Sequence, residues 1–386
     1  MGIFHDLGIA VRRFRDVQRD KSRDTTVEED VRLAEQGTRL LQKLPEDFPG
    51  KAVLVDLSAD VAPWFKTPLE VEAGQEVTWL AAGRVWLSKP LDVYVPPAYQ
   101  LWARVAGQGP LANGARSTHT FRAENTGSLE LASYFPGEWK DADGNLANDA
   151  NVYQGTRGNL VVLAIAWDID AASGLEKLRE LGDPCRMVSA ELERLATAVA
   201  APQGWEPHRI IGNSEIYTPT HHNDRPAIKC RTYGDVGIVC HDVDVALSAQ
   251  TELRWNWRVD RLPSALPEDS AISHDYLSIA VEFENGKDIT YYWSSGLPVE
   301  HAYWCPLQAW KDREFHVVVR SGPIGLGAWQ SESRNVAADY ERWMGDKPGR
   351  IVRVWLIANS MMQRKLGEAL YSDIVLENED GPRQVL

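Results

Sequence analysis

Residues 253 to 260 read LRWNWRVD, and this alternation limits what the chain can become. Successive side chains of an extended chain point to opposite faces, so Leu253, Trp255, Trp257 and Val259 share one side of a strand while Arg254, Asn256, Arg258 and Asp260 share the other. A face with two tryptophans needs a second apolar layer over it, which makes the strand one half of a sandwich. Its polar face admits two readings, a surface turned to water or the lining of a polar groove.

The same short alternating runs recur on both sides of a helical stretch. Between residues 51 and 170, VEAGQEVTWLAAGRVWL has turn points at Gly74 and Gly83, THTFRAENTGSLELASYF reads as strand, turn and strand, and GNLVVLAIAWD is a buried strand. Between 206 and 386, AIKCRTYGDVGIVCHDVDVAL, DYLSIAVEFENGKDITYYW, REFHVVVRSG, GRIVRVWLIAN and ALYSDIVLEN all behave as strands, with Asn285-Gly286 as a two-residue hairpin signal. One helical insert, SESRNVAADYERWMG, precedes the penultimate strand. The expected class is mainly β: two β-sandwich domains with flanking and linking helices. The expected organisation is a helical N-terminal segment (1–46), a first sandwich (51–170), a helical linker (171–205) and a second sandwich (206–386).

The helices carry their own signals. Phe4, Leu7, Val11 and Phe14 fall on one stripe beside Arg12, Arg13, Arg15 and Arg19. This stripe suits docking on the protein itself, contact with a second copy in a homo-oligomer, or peripheral membrane contact through residues 1–20. A capping box at Thr26-x-x-Glu29 opens a second helix that runs towards Leu44, and another at Ser173-x-x-Glu176 opens a helical pair punctuated at Gly182-Asp183-Pro184. The stretch APQGWEPHR then reads as a linker.

A formal net charge of −14 argues against a general nucleic-acid binder, which needs a basic surface to displace counterions from phosphates. No run of about 18 apolar residues is present, so no transmembrane segment is expected, and a cytoplasmic location is expected. Cys185, Cys230, Cys240 and Cys305 show no pairing motif and read as free thiols. Each of the 15 tryptophans reads first as sandwich filler, yet so many make an aromatic-lined groove for flat ligands easy to build.

The stretches LEVEAGQEVTWLAAGRVWL, YQLWARVAG, HTFRAENTGSLELASY and RGNLVVLAI, spanning roughly residues 65–167, resemble the calcium-dependent galactose-binding lectins of bacteria. The resemblance implies a small jelly roll. Where such lectins carry an Asn-Asp pair for calcium and sugar, this chain reads Ser133-Tyr134, so the site does not carry over. RWNWRVD, LSIAVEF, RNVAADY and YSDIVLE resemble the motifs of an uncharacterised bacterial domain family, over most of 208–380. That resemblance implies a jelly roll similar to carbohydrate-binding modules and no established activity.

Chemistry has several candidate places. Asp141, Asp143 and Asn145 are spaced like the oxygen donors of a calcium loop, with a solvated acidic turn as the alternative; no other cofactor is suggested. In the second sandwich, Trp255, Arg258, Tyr276, His316, Arg353 and Asp373 are candidate ligand-binding residues. His241 or His274 as base, with Asp275 or Glu282 as acid, form a candidate acid–base set. Converging histidines could also hold zinc, though neither HxH nor HExxH occurs. Phosphate-binding, dinucleotide-binding and nucleophile-elbow signatures are absent. The expected function is binding of a carbohydrate, glycoconjugate or small polar-aromatic molecule through Trp-lined grooves. The alternative is a cofactor-independent lyase, isomerase or hydrolase.

Overall fold

The computed structural model describes residues 3–20, 29–61, 63–114, 116–197, 200–345 and 348–386. The chain is mainly β and divides into two compact units, one formed by Arg15–Ala198 and the other by Val199–Leu386 together with Met1–Phe14. None of the described helices is long and apolar enough to cross a membrane.

The chain opens with α1 (Ile3–Asp20) and α2 (Glu29–Leu41). The Phe4 side chain and the capping residue Thr26 lie outside the described positions. On α1 the expected docking stripe faces outward: Leu7, Val11 and Phe14 are exposed, whereas Ile9, Arg13 and Val17 are buried. Polar ties set this rotation, with His5 Nε2 2.8 Å from Asp269 Oδ1 and Arg13 Nη1 donating to the Gln363 carbonyl at 3.4 Å.

The first sandwich contains β1 (Gly50–Ser58), β2 (Trp64–Val71), β3 (Glu76–Ser88), β4 (Val93–Val95), a single-turn α3 (Pro97–Gln100), β5 (Leu101–Val105), β6 (Gln108–Asn113), β7 (Thr118–Arg122), β8 (Gly127–Ser133) and β9 (Arg157–Trp167). One sheet runs β1-β9-β3-β4 with β7 also on β3; the other runs β2-β8-β5-β6. β9 is an almost unbroken apolar run because both of its faces are covered. Leu163, Ile165 and Trp167 pack with Leu33 and Leu40 of α2, with Leu175 and Leu178 of α4 (Ala171–Leu181), and with Val188 of α5 (Met187–Thr197). The helices expected as a linker therefore build the core of this unit.

The start of α4 also differs from the expected capping box. The N-cap is Asp170, whose carboxylate accepts from Ser173 N at 2.8 Å, so Ser173 lies inside the first turn. A buried polar chain holds α5 to the sheet: Trp167 Nε1 donates to Thr78 Oγ1, Thr78 meets Thr120, and Thr120 Oγ1 donates to Glu191 Oε1, which also accepts from Arg194.

The second sandwich contains β10 (Glu206–Pro207), β11 (Tyr217–His222), β12 (Arg225–Thr232), β13 (Val236–Ala246), β14 (Glu252–Arg261), β15 (Tyr276–Phe283), β16 (Asp288–Ser294), β17 (Ala302–Trp304), β18 (Glu314–Ser321), β19 (Gln330–Asn335), α6 (Val336–Met344), β20 (Arg350–Asn359), β21 (Gly367–Asn378) and β22 (Gly381–Gln384). The expected helical insert thus begins as a strand and becomes helical only at Val336, where the Asn335 side chain caps Ala338 N.

Among the described residues a larger sheet runs β10-β13-β20-β15-β16-β18-β17, and a smaller one runs β11-β12-β21-β14-β19 with β22 on β21. Their facing sides enclose one apolar core that includes Trp255, Trp257, Tyr291, Trp293 and Leu356. The RNVAADY stretch locks this core at one end. Arg334 makes two hydrogen bonds to Asp339, each 2.8 Å, while Asp339 Oδ2 accepts from Tyr291 OH at 3.0 Å. Tyr340 OH accepts from Asn285 Nδ2 at 2.9 Å, which fixes the Asn285-Gly286 hairpin.

Candidate functional site

The two outer faces of the second sandwich differ. On β14 of the smaller sheet, burial alternates residue by residue, and the outward side chains pair among themselves. Arg254 meets Glu377, Asn256 Nδ2 donates to Asp373 Oδ2 at 2.9 Å, and Arg258 Nε donates to Asp260 Oδ1 at 2.7 Å. Trp255 is 1% exposed in the core, so it is no stacking platform for a ligand. Arg258 and Asp373 lie on this smaller sheet, whereas Tyr276, Glu282, His316 and Arg353 lie on the larger one. The six expected ligand-binding residues therefore do not line one groove.

On the larger sheet the outward face carries a groove of about 730 Å³. Its floor comes from alternate residues of neighbouring strands: Asp242 on β13, Arg353 and Trp355 on β20, Glu282 on β15 and Asp288 on β16. Its walls are residues 206–210, the Asn285-Gly286 hairpin, and the Trp310–Arg313 segment. Gly286 has φ +74°, the left-handed conformation this tight turn requires.

Arg353 ties the floor together, with Nε donating to Asp242 Oδ1 and Nη1 to Glu282 Oε2, each at 2.9 Å. His208 lies with its ring centroid 4.9 Å from Trp355 and 5.9 Å from Trp310, while the Arg313 guanidinium sits 5.1 Å above the Trp310 ring. Burial, reinforced by Arg353, Arg209 and Arg313, pushes the His208 pKa down to about 4, so its imidazole is neutral at ordinary pH. Burial pushes Glu282 above the usual carboxylate range, against the pull of Arg353.

Further along the same face the sheet is covered, and polar side chains are sealed beneath. His274, Cys305, Glu314 and His316 are buried and place one nitrogen, sulfur or oxygen atom each within 4.8 Å of one another. His274 Nε2 is 3.4 Å from Cys305 Sγ, and His316 Nε2 is 3.4 Å from Glu314 Oε2. Around them, His274 Nδ1 is 2.6 Å from the Glu268 carbonyl, Tyr276 OH donates to Glu314 Oε1 at 2.8 Å, and the Tyr303 ring stacks on His316 at 5.2 Å. Neither His316 ring nitrogen makes a hydrogen bond of normal geometry.

Three expected residues, His274, Tyr276 and His316, meet in this cluster. The expected acid–base set does not assemble as a unit. His241 packs against Trp205 at 5.4 Å, and Asp275 turns to the backbone N–H groups of Met362 (2.9 Å) and Gln363 (2.5 Å) while burial pushes it up to about 7. From sequence, Cys305 reads only as a free thiol, and Glu314 is not among the expected site residues. One signal was present: Glu314-x-His316 puts two ligand-type side chains on one face of a strand.

In the first unit, Asp141 accepts from the N–H groups of Asp143 and Asn145, each at 3.1 Å, and from Asn145 Nδ2 at 2.9 Å, while Asp143 Oδ1 accepts from Gly109 N at 2.9 Å. Asp141 and Asp143 thus accept within their own loop and its neighbour, and Asn145 donates its amide groups to Asp141.

Residues 203–375 match a family model described as a protein of unknown function, DUF3047. No curated protein matches the chain. The N-terminal domain of EclA, a PllA-like lectin, is similar at 15% identity and TM-score 0.23, over 31% of this chain and 98% of that one. The family 30 carbohydrate-binding module of a Clostridium thermocellum cellulosomal cellulase is similar at 11% identity and TM-score 0.27, over 47% and 96%. The xyloglucanase domain of NopAA from Sinorhizobium fredii is similar at 7% identity and TM-score 0.30, over 46% and 95%.

Proposed function

We propose that the protein binds a saccharide in the groove over the larger sheet of its second unit. The supporting observation is the arrangement of Arg353 between Asp242 and Glu282, beside the half-buried Trp310 and His208 rings. A sugar offers apolar C–H faces and hydroxyls that both donate and accept. Rings along one wall suit the faces, and an Arg flanked by carboxylates offers donors and acceptors side by side. The mixture of both charge signs suits a neutral polar ligand better than a strongly charged one. Trp310 and His208 serve as the platform, Arg353 and Glu282 as the polar clamp.

The test is a set of thermal melts of the whole protein against soluble fragments of glucan, xylan, mannan and galactan, each run once with calcium and once with EGTA. A ligand specific for the native state raises the melting temperature. The reading expects a shift with at least one glycan, independent of calcium and lost in Trp310→Ala. A shift that requires calcium and is lost in Asp141→Ala would move the site to the first sandwich. No shift with any glycan would remove the saccharide reading.

A second reading, hydrolysis of the bound saccharide, has one observation in its favour. Glu282 and Asp288 are register partners on neighbouring strands, and burial raises the proton affinity of both, as suits a carboxyl that gives up a proton in catalysis. Release of reducing ends from the same fragments, abolished in Glu282→Gln, would select it.

A further inference from the structure

We infer that His274, Cys305, Glu314 and His316 bind one divalent transition-metal ion of the zinc type, at a closed structural site next to the groove floor, where Glu314 is the register partner of Asp288. Two imidazoles, one thiol and one carboxylate are a donor set suited to zinc. Metal–ligand bonds of about 2.0–2.3 Å put neighbouring donors of a tetrahedron about 3.3–3.7 Å apart. The His274–Cys305 and His316–Glu314 separations, both 3.4 Å, fall in that range, and all four donors lie within 4.8 Å of one another.

The surroundings are those of a ligand set. The Glu268 carbonyl accepts from His274 Nδ1–H, which fixes the tautomer and leaves the Nε2 lone pair directed at Cys305 Sγ. Glu268 is itself anchored, its carboxylate accepting from Ser264 Oγ, Ser294 Oγ and Ser295 N. Tyr276 OH holds Glu314 Oε1, leaving Oε2 towards His316. His316 is fully buried, and its Nε2 makes no hydrogen bond of normal geometry, a cost that a metal bond at that atom would relieve.

Charge also balances. A thiolate, a carboxylate and two neutral imidazoles around a divalent ion sum to zero, which a site sealed from water requires. Binding the ion displaces the Cys305 thiol proton, so loading is tighter at higher pH. With four protein ligands, all buried, there is no open position for substrate, which makes the site structural. It would pin the covering segment that carries His274 to the ends of β17 and β18.

The experiment is elemental analysis of the full chain purified from zinc-supplemented cells, with parallel protein produced in cobalt medium. The expected result is close to one metal per chain. The cobalt form should show thiolate-to-metal charge transfer and intense tetrahedral d–d bands. Cys305→Ser should lose the charge-transfer band, and His316→Ala should lower metal content at least tenfold. Should either variant fail to fold, the wild-type stoichiometry and cobalt spectrum decide the matter. A folded wild-type chain with less than a tenth of an equivalent of metal and no thiolate–cobalt band would overturn the inference. Full metal content retained in both variants would also overturn it. In a metal-free protein Cys305 and His274 would form only a thiol–imidazole hydrogen bond.

Discussion

Arg353 and Glu282 are direct register partners on β20 and β15, and the Arg353 guanidinium donates to the Glu282 carboxylate at 2.9 Å across the floor of the groove. The Arg353 side chain is 42% exposed, so its ion pairs contribute little to folding and their donors remain within reach of a ligand. Arg353→Ala should therefore weaken saccharide binding about tenfold, the worth of one charge-assisted hydrogen bond, while costing less than about 1 kcal/mol of stability. Calorimetric titration of the glycan selected by thermal melts, with urea unfolding of the same variant, checks both parts.

The two kinds of tryptophan should separate cleanly. Trp310→Ala removes a half-buried groove ring and should abolish measurable binding with little change in melting temperature. Trp255→Ala empties a fully buried position and should cost about 3–5 kcal/mol of stability, with affinity unchanged in the protein that still folds. Equal effects of both substitutions on binding would mean that Trp310 acts through the fold.

Arg258→Ala is the matching control. Arg258 lies on the smaller sheet and pairs with Asp260, two residues along its own strand. The account predicts the same glycan affinity as wild type within error, and a clear loss would relocate the site.

How much of this was legible in advance follows from the range over which each signal acts. Strand alternation is local, so LRWNWRVD gave its buried and exposed faces correctly from Leu253 to Asp260. Which sheet a strand joins is set by pairings over a hundred residues apart, such as Arg254 with Val375, and no local pattern encodes that. Arg258 and Arg353 thus looked alike in sequence and belong to opposite sheets. Cys305 and His274 are 31 residues apart, one just after β17 and the other just before β15, and meet only through the folded sheet. On α1 the stripe of Leu7, Val11 and Phe14 is exposed while Ile9, Arg13 and Val17 are buried, so the apolar spacing does not mark the face that packs on the chain itself.

A pH dependence follows from His119 in the first unit, whose pKa is pushed down to about 4 by burial and then by Arg194, against Glu191. A histidine held neutral in the folded state supplies stability that is complete above about pH 6.5 and lost as pH falls from there towards 4, since the unfolded chain takes up the proton first. His119 keeps some solvent contact, so the expected loss between pH 7 and pH 5 is on the order of 1 kcal/mol. Urea midpoints at the two pH values should differ less in His119→Gln than in wild type.

The helix that completes the first unit gives a simpler test. Asp170→Ala leaves the first turn of α4 without its cap and should destabilise the unit by about 1 kcal/mol, whereas Ser173→Ala should cost less, because it removes the hydroxyl contact to Asp170 but keeps the backbone N–H bond. Thermal melts of the pair suffice.

The most direct test of the groove is hydrogen–deuterium exchange of the whole protein with and without a saturating oligosaccharide. The account predicts ligand-dependent protection in residues 206–210, 284–288 and 306–313, with exchange in β14, β19 and the 141–146 loop unchanged. Protection confined to the smaller sheet or to the 141–146 loop, with the groove segments unaffected, would contradict it.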